Sequence, residues 1–318
     1  MSKKIVYVTG CLGFIGFHVA KRLLDEGHYV IGVDKCTYAA NVQLLPHLRS
    51  YGEQFAWIPE DINNLKRLVD CDYVINTAAE THVDNSIANS DEFVRSNIDG
   101  VHNLLKLIAS KGQYKMPTLL HFSTDEVYGD IDNGAFTEEQ LLKPSNPYAA
   151  TKAAADMLIT AWARTHKVPY IIVRPTNNYG TGQYVEKLIP KAVKYLLIDR
   201  KVPLHAGGSP HRTWLHVSDT AEAINTIINA GVVNEIYNIP GNFETSNLEV
   251  VKTILKEMFI LDEDKLEEFI DFSYERPGQD VRYSIDGSKL EALGWKARAD
   301  FYKELPDIVD YYKDNWIW

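Results

Sequence analysis

The chain has 318 residues, a formal net charge of −10, and 45% hydrophobic against 24% charged residues. This composition is typical of a folded globular protein rather than a disordered one, and the length fits one α/β unit or two domains of about 150 residues each. The acidic balance argues against a surface that binds nucleic acid or anionic lipid. No apolar run approaches the ~20 residues that cross a bilayer, so we expect no membrane partner.

The N-terminus and the cysteines both indicate a reducing compartment. Residues 1–4 lead directly into an apolar predicted strand, with no secretory pattern. Cys11, Cys36 and Cys71 are an odd number of cysteines without Cys-x2-Cys spacing, which disfavours a disulfide framework and a zinc knuckle. We therefore expect a cytoplasmic protein without a metal.

Short β-branched runs alternate with amphipathic segments through the first half of the chain. The predicted strands are residues 5–9, 29–33, 73–76, 119–122 and 170–173. The predicted helices lie near residues 14–26, 62–70, 89–111 and 146–166, and later near 184–198, 217–230 and 246–258. Strands separated by helices predict an α/β protein with a doubly wound parallel sheet that is covered on both faces.

A glycine-rich turn follows the first predicted strand and opens the first predicted helix. Gly10 permits a tight turn, Gly13 lets the backbone approach a pyrophosphate, and Gly16 allows close packing of helix on strand. Asp34, 18 residues after Gly16, is placed to bind both hydroxyls of an adenosine ribose. Because this carboxylate repels a 2′-phosphate, the pattern favours NAD over NADP. A plain strand-to-helix turn is the alternative.

Two further positions bear on the cofactor. Lys35, next to Asp34, leaves NADP open as an alternative. Asp61 and Ile62 follow a third strand, where they either flank the adenine or belong to a helix that Asp61 caps.

Tyr148 and Lys152 are four residues apart in a predicted helix, a spacing that places their Cβ atoms about 5–6 Å apart on one face. A nearby ammonium stabilises a phenolate, so the spacing predicts a lowered pKa for Tyr148 and a base that works near neutral pH. An exposed tyrosine beside a solvated lysine is the alternative. The glycine-rich turn earlier in the chain favours the catalytic interpretation.

Thr124, Asp125 and Glu126 follow the predicted strand at 119–122. The carboxyl ends of parallel strands are where such sheets bind ligands. Adjacent carboxyl groups can be driven to different protonation states, so that one serves as acid and the other as base. A solvated loop or a helix cap is the alternative.

Together these motifs resemble the extended short-chain dehydrogenase/reductase family and, within it, the nucleoside-diphosphate-glucose 4,6-dehydratases that act on dTDP-glucose or UDP-glucose. The resemblance covers essentially the whole chain and is carried by residues 10–16, 33–35, 78–84, 123–129, 146–152, 177–180, 186–190 and 276–278. The Thr-Asp-Glu triplet is its specific part, since related 4-epimerases and decarboxylases share the glycines and Tyr-x-x-x-Lys but lack the Asp-Glu pair.

The resemblance implies two domains. Residues 1–180 would form a Rossmann-type NAD-binding domain that carries the catalytic residues. Residues 181–318 would form a smaller domain that mainly binds the nucleotide sugar, with the chain crossing back between the two.

The resemblance also implies a redox-neutral cycle in which NAD is retained and nucleotide-linked glucose becomes 4-keto-6-deoxyglucose and water, a step of rhamnose-type deoxysugar biosynthesis. Tyr148, supported by Lys152 and Thr124, would take the 4-hydroxyl proton while NAD accepts hydride from carbon 4. Glu126 would remove the carbon 5 proton and Asp125 would protonate the departing 6-hydroxyl, after which the hydride returns to carbon 6.

The binding residues follow from the same resemblance. NAD would contact Gly10, Gly13, Phe14, Ile15, Gly16, Asp34, Lys35, Asp61, Ile62, Ala78, Ala79, Thr81, Asn97, Tyr148, Lys152 and Asn178. The nucleotide sugar would contact His82, Thr124, Asn177, Lys187, Leu188, Leu204, His205, Arg212 and Arg276. No metal is implied.

Three departures from the family pattern concern the nucleotide. Asn85 stands where bacterial dTDP-glucose enzymes usually carry Arg, residues 203–207 lack an aromatic side chain, and Gln279 stands where His is usual. Residues 81–86 resemble the UDP-glucose 4,6-dehydratase part of plant-type rhamnose synthases. We therefore favour UDP-glucose slightly over dTDP-glucose.

Other activities and the oligomeric state stay open at this point. A nucleotide-sugar 4-epimerase would leave Asp125 and Glu126 idle, and a non-catalytic NAD-binding regulator would keep the fold alone. The family usually forms homodimers through two helices, here those near 89–111 and 146–166. The apolar stripe that the first of these helices carries, which could equally belong to the core, consists of Val101, Leu104, Leu105 and Ile108.

Overall fold

A computed structural model of the chain describes residues 3–258, 265–277 and 280–315. Its strands are β1 (Ile5–Thr9), β2 (Tyr29–Val33), β3 (Phe55–Ile58), β4 (Tyr73–Asn76), β5 (Thr118–Phe122), β6 (Tyr170–Pro175), β7 (Asn177–Tyr179), β8 (Val202–Pro203), β9 (His211–His216), β10 (Glu235–Ile239), β11 (Phe243–Ser246) and β12 (Ile270–Asp271). Its helices are α1 (Phe14–Asp25), α2 (Leu45–Arg49), α3 (Val83–Ala88), α4 (Asp91–Val94), α5 (Gly100–Ala109), α6 (Pro147–His166), α7 (Leu188–Leu197), α8 (Val217–Ala230), α9 (Asn247–Glu257), α10 (Leu266–Phe269), α11 (Ser288–Glu291) and α12 (Phe301–Asp314).

Seven parallel strands form the main sheet, in the order β10-β6-β5-β4-β1-β2-β3. The strands are apolar along their length because both faces are covered, by α1 and α8 on one side and by α5 and α6 on the other. The strand order reverses between β1 and β4, the point at which open sheets of this kind bind ligands. The predicted doubly wound, Rossmann-type sheet is confirmed.

A second hydrophobic core lies among α7, α9 and α12. The three-stranded sheet β11-β9-β7 and the short parallel pair β8 and β12 accompany it. Between these elements the chain returns to the main sheet, where β10 pairs with β6. The division into domains at residue 180 stays a prediction.

The predicted helix at 62–70 is wrong. Asp61 accepts a hydrogen bond from the Asn63 backbone N–H at 2.9 Å, which forms a turn. Beyond it, Asn103 donates to two backbone carbonyls of the segment at 2.7 and 3.1 Å, and the Tyr7 hydroxyl accepts from a backbone N–H at 2.9 Å. Distant side chains therefore satisfy backbone groups that a helix would have paired internally.

The predicted helix near 89–111 is interrupted. A π-helical stretch, Arg95–Asp99, separates α4 from α5 and carries the buried Asn97. Such stretches are common near functional sites, because they redirect a side chain that a regular helix would place elsewhere. The apolar stripe of α5 is fully buried against the sheet and is therefore core: Val101, Leu104, Leu105 and Ile108.

Replacing Arg174 with methionine tests the buried ion pair beneath the sheet edge. Arg174 Nη2 and Nε donate to Asp156 Oδ2 at 2.9 and 3.1 Å, and both side chains are buried. Because the variant leaves a buried carboxylate without its paired cation, we expect the free energy of unfolding in urea to fall by about 3–5 kcal/mol. Adding Asp156→Leu should recover much of this loss. Unchanged stability of the single variant would contradict the assignment.

Candidate active site

The glycine turn between β1 and α1 has the geometry of a dinucleotide cradle. Gly10 has φ +71°, and its N–H donates to the Val33 carbonyl at 2.7 Å. A β-carbon at Gly16 would lie 2.0 Å from the Gly10 carbonyl oxygen, so no larger residue fits there. Gly13 begins α1 without a side-chain cap. The N-terminus of α1 therefore faces the cradle with backbone donors and the positive end of the helix dipole, which suits a pyrophosphate.

Asp34 closes one side of the cradle immediately after β2. Its two carboxylate oxygens accept from the backbone N–H groups of Leu12 and Cys36 at 2.9 and 2.8 Å. Burial raises the pKa of Asp34, and these backbone donors oppose the increase. The carboxylate is thus held rigidly at the strand end, where a ribose would lie.

The residues predicted to hold NAD are brought together, with one exception. One cavity is lined by Gly10, Gly13, Asp34, Lys35, Asp61, Ile62, Ala78 and Ala79. An adjoining cavity is lined by Phe14, Ile15, Gly16, Thr81, Tyr148, Lys152 and Asn178. The Asn97 side chain instead binds the backbone of Glu80. Its Oδ1 accepts from the Glu80 N–H at 2.9 Å, and its Nδ2 donates to the Glu80 carbonyl at 3.0 Å. These residues fit NAD, with Asn97 bracing the cavity wall.

Asp61 is held by two cations rather than by a helix. Its carboxylate lies 3.6 Å from Lys35 Nζ and 3.2 Å from Arg95 Nη2. Burial acts to raise the pKa of Asp61, but hydrogen bonds from Asn63 and the two cations outweigh it and lower the pKa. Because Lys35 is paired with Asp61, its charge is partly neutralised beside Asp34.

The Thr-Asp-Glu turn follows β5, and the Thr124 hydroxyl organises it. This hydroxyl donates to Asp125 Oδ1 at 3.2 Å and accepts from the Glu126 backbone N–H at 3.3 Å. It also hydrogen-bonds to the Tyr148 hydroxyl. This contact with Thr124 lowers the pKa of Tyr148, because a hydroxyl that donates to the phenolic oxygen favours the phenolate. Thr124 therefore lies between the tyrosine and the carboxyl group.

The two carboxyl groups have raised pKa values for a shared reason. Burial, followed by the charge of Glu126, raises the pKa of Asp125 to about 7. Burial also raises the pKa of Glu126, against the hydrogen bond that Asn146 Nδ2 donates to its Oε2 at 3.1 Å. Arg212 lowers both pKa values. Asp125 is thus poised to hold or release a proton near neutral pH, as an acid must.

Tyr148 and Lys152 lie on one face of α6, as predicted, but the expected lowering of the tyrosine pKa is wrong for this structure. Burial, followed by the charges of Glu126 and Asp125, raises the pKa of Tyr148. Lys152 Nζ instead lies 3.5 Å from His121 Nε2. Burial lowers the pKa of Lys152 to about 8, against the charge of Asp156.

A third cavity joins the catalytic turn to the second core. Its lining includes all of the predicted substrate residues other than Thr124, which lines the adjoining NAD cavity: His82, Asn177, Lys187, Leu188, Leu204, His205, Arg212 and Arg276. Glu126 lies in the walls of both cavities, so the catalytic turn is where they meet. Gln279 lies outside the described residues.

The structure adds two residues that the sequence analysis missed. Lys191 lies in the first turn of α7, four residues after Lys187, which immediately precedes the helix. Burial lowers the pKa of Lys191. Asp84 binds Arg276 Nε at 2.6 Å and lies 3.7 Å from His205 Nε2. The spacing of the two lysines could have predicted the first residue. The second depends on a contact between segments 192 residues apart.

The lining of this third cavity includes the carboxyl groups of Asp84, Glu126, Glu186 and Asp280 and four cationic side chains: Lys187, Lys191, Arg212 and Arg276. Cations gathered in one cavity are suited to a diphosphate, because guanidinium and ammonium groups bind phosphate oxygens through charge-assisted hydrogen bonds. Within the described residues there is no cluster of His, Cys, Asp and Glu that could hold a metal ion. Nor does that part of the chain contain a helix long and apolar enough to cross a membrane.

Comparison with known proteins agrees with this geometry. The family model described as GDP-mannose 4,6 dehydratase matches residues 7–307. The chain is similar to a dTDP-glucose 4,6-dehydratase of Neisseria gonorrhoeae, at 39% identity over 99% of this chain and 97% of the relative. It is also similar to a trifunctional UDP-glucose 4,6-dehydratase, 3,5-epimerase and reductase of Arabidopsis thaliana, at 37% identity over 99% of this chain and 48% of that protein.

A solved structure extends the comparison to three dimensions. The dTDP-glucose 4,6-dehydratase DesIV of Streptomyces venezuelae, crystallised with NAD bound, matches with a TM-score of 0.90 and 35% identity. The match covers 98% of this chain and 97% of that chain.

Replacing Asp34 with asparagine tests the cofactor preference. The amide keeps an acceptor for the backbone but loses the charge that repels a 2′-phosphate. We expect NAD affinity to fall by roughly tenfold, as for loss of a charged hydrogen bond, and the ratio of NADP to NAD affinity to rise. Titration calorimetry with both cofactors measures this. An unchanged ratio would show that Asp34 does not set the preference.

Proposed function

Because the chain belongs to the GDP-mannose 4,6-dehydratase family, we propose that it is an NAD-dependent hydro-lyase that converts nucleotide-linked glucose to the 4-keto-6-deoxy sugar. The observation that carries this proposal is the adjacent pair of carboxyl groups beside Tyr148, formed by the buried Asp125 and the half-buried Glu126. An elimination of water needs an acid and a base at neighbouring carbons, and adjacent residues of one turn supply both. The product is a precursor of rhamnose-type deoxysugars.

The residues of the chain divide the reaction among them. NAD supplies a hydride acceptor for carbon 4 and later a hydride donor for carbon 6. Tyr148 takes the proton of the 4-hydroxyl as the phenolate, the form that the hydrogen bond from Thr124 favours, and Lys152 assists as a cation on the same helix face. The resulting ketone acidifies the carbon 5 proton.

Elimination then uses the two carboxyl groups. Glu126 removes the carbon 5 proton, and Asp125 protonates the departing 6-hydroxyl so that it leaves as water. Glu126 returns its proton to carbon 5 when carbon 6 is reduced. Over the cycle Tyr148 gains one proton and Asp125 loses one, so the enzyme as a whole is unchanged once this proton passes between them.

For the nucleotide we propose UDP-glucose. Support comes from residues 81–86, which resemble the UDP-glucose 4,6-dehydratase part of plant-type rhamnose synthases and of which residues 81–84 line the nucleotide-sugar cavity. Relatives named for dTDP-glucose and for UDP-glucose have similar identities to this chain, 39% and 37%. A preference for dTDP-glucose is therefore an outcome that the test below distinguishes.

The pair of carboxyl groups also argues against the two alternative activities. A 4-epimerase needs no acid and base at carbons 5 and 6, yet here desolvation raises the pKa values of both Asp125 and Glu126. A non-catalytic NAD-binding regulator would likewise have no use for raised carboxyl pKa values beside a tyrosine and a lysine.

The direct test is incubation of the protein with UDP-glucose and dTDP-glucose in parallel, without added NADH, followed by NMR of the products. We expect a new methyl signal at carbon 6, appearing faster with UDP-glucose. Conversion to the galactose epimer would replace the dehydratase with an epimerase, and unchanged sugars on an NAD-loaded protein would contradict both enzyme assignments.

Replacing Glu126 with glutamine should separate the steps. Loss of one acid–base group costs about 10²–10⁴-fold in rate. We expect product formation to fall by this factor while reduced cofactor still forms, because the first hydride transfer does not use Glu126. Stopped-flow absorbance follows the cofactor and NMR follows the product. Full product at near the unmodified rate would refute the role of Glu126.

The pKa of Asp125, about 7, gives a pH prediction. Asp125 acts as an acid only while it is protonated. The rate of elimination should therefore be at its maximum below this pKa and should decline as pH rises through it. We expect kcat to fall across pH 7 in the unmodified protein, and Asp125→Asn to show lower but pH-independent kcat in this range. A kcat that is constant or rises there would contradict the assignment.

We also propose a cytoplasmic homodimer. The free thiols of all three cysteines support a reducing location. Since the apolar stripe of α5 is core, a dimer interface has to use the outer surfaces of this helix and α6, where Met157 is 60% exposed. Light scattering should give twice the mass of 36.1 kDa, and a monomer would contradict this assignment.

A further inference from the structure

A row of buried polar side chains crosses the main sheet beneath the catalytic lysine. Thr9, Asn76 and His121 are register partners on the adjacent strands β1, β4 and β5. Thr9 Oγ1 lies 2.5 Å from Asn76 Oδ1, and Asn76 Nδ2 lies 3.0 Å from His121 Nδ1. All three residues are buried. A polar row inside an otherwise apolar sheet is costly unless each member is hydrogen-bonded, as these are.

The row ends on Lys152. His121 Nε2 lies 3.5 Å from Lys152 Nζ, while the other ring nitrogen faces Asn76. Asp156, one turn further along α6, acts on the lysine through its charge. Its Oδ2 accepts from Arg174 and from the Ser123 hydroxyl at 2.9 and 3.0 Å, and its buried Oδ1 has no hydrogen-bond partner among the described residues. A buried ammonium needs acceptors for its protons. His121 presents one of them.

We propose that His121 is a positioning residue that holds the Lys152 ammonium through Nε2, with Asn76 and Thr9 fixing the imidazole. This inference rests on the proposed function, in which Lys152 assists Tyr148 as a cation. His121 itself touches neither the reacting atoms nor the cavity that binds the sugar. Its effect on turnover passes entirely through the lysine.

Hydrogen-bond valence couples the row to the charge of the lysine. His121 is neutral, because burial and then the charge of Lys152 lower its pKa well below the usual range. A neutral imidazole has one donor and one acceptor, so when Nδ1 accepts from Asn76 Nδ2, Nε2 carries the proton and faces an uncharged amine. Rotating the Asn76 amide exchanges its oxygen and nitrogen. Nδ1–H then donates to Oδ1, and Nε2 accepts from the ammonium.

The second arrangement is the one that catalysis requires. Asn76 Nδ2 then donates to Thr9 Oγ1, so every member of the row remains paired. Protonation of Lys152 and the orientation of the Asn76 amide therefore change together, because the tautomer of the His121 ring must match both.

Loss of the imidazole has a definite sign. The titratable groups that face Lys152 are the charged Asp156 on its own helix and the neutral His121 on β5. Tyr148 precedes it on α6 and is itself acted on by Asp125 and Glu126, while Arg174 on β6 compensates Asp156. An acceptor favours the ammonium over the amine. Without it the pKa of Lys152, which burial already lowers, falls further, and the ammonium is lost at lower pH.

Two amide variants make a matched pair. A glutamine side chain places its terminal amide near the position of His Nε2, whereas asparagine reaches only to the position of Nδ1. His121→Gln therefore keeps an acceptor for the lysine, and His121→Asn keeps only the contact to Asn76. Both substitutions put a neutral amide in the same buried position. A merely structural role for His121 would affect them alike.

The measurement isolates the first hydride transfer, so that the titration of Asp125 does not enter. Glu126→Gln protein carrying NAD is mixed with UDP-glucose or dTDP-glucose, and formation of reduced cofactor is followed by stopped-flow across the pH range. We expect His121→Asn to slow this step about tenfold, the effect of losing a hydrogen bond to a charged group, and to move its alkaline limit down by about one pH unit. His121→Gln should retain most of the rate and the limit. The sugar concentration for half-maximal rate should stay within twofold in both.

A pH profile of His121→Asn that superimposes on that of the parent, or equal losses of rate in the two variants, would overturn the proposal.

A second readout does not depend on turnover. In the NAD-loaded protein labelled with ¹⁵N-histidine, the resonance absent from His121→Gln identifies His121. We expect a neutral ring with its proton on Nδ1 at pH below the lysine titration. A proton on Nε2 throughout would refute the assignment. Failure of the parent to reduce cofactor would instead count against the proposed function and leave this NMR result to decide on His121.

Discussion

Asp125, Tyr148 and Lys152 are buried and Glu126 is half-buried, and a charge that is buried without compensation costs several kcal/mol per ion. This constraint accounts for most of the polar contacts around them. Thr124 and Asn146 supply hydrogen bonds to the two carboxyl groups, and Arg212 supplies a positive charge. Beneath them, Arg174 compensates Asp156. The same burial that is expensive for stability brings the pKa of Asp125 to about 7, which is the property an acid needs at neutral pH.

The parallel sheet explains why these groups meet. The carboxyl ends of β1, β4 and β5 lie side by side at one edge, so the glycine turn, the wall of the cofactor cavity and the Thr-Asp-Glu turn are neighbours although they are far apart in sequence. The α6 helix crosses this edge and places Tyr148 against Thr124. The part of the chain around the second core adds the cationic side chains of the nucleotide-sugar cavity, which meets the cofactor cavity at this turn.

Features that depend on local backbone geometry could be predicted from the sequence, and features that depend on long-range contacts could not. The glycine turn and the spacing of Tyr148 and Lys152 follow from the geometry of a turn and a helix. Residues 62–70 have apolar residues at helical spacing, yet the Tyr7 and Asn103 side chains satisfy their backbone. The raised pKa of Tyr148 reflects burial beside two carboxyl groups that no local pattern reveals. His121 lies within an apolar strand, and its contacts follow only from the register that places it beside Asn76 on the neighbouring strand.

In the mechanism that we propose, the site performs an internal elimination in which Glu126 removes and restores the carbon 5 proton. The decisive measurement is turnover of nucleotide-linked glucose in D₂O, with the product examined by NMR. Because Glu126 would exchange its proton with solvent while the hydride stays on the bound cofactor, we expect deuterium at carbon 5 and a carbon 6 methyl group that carries the hydrogen from carbon 4. A product inverted at carbon 4, with no deuterium at carbon 5, would contradict it.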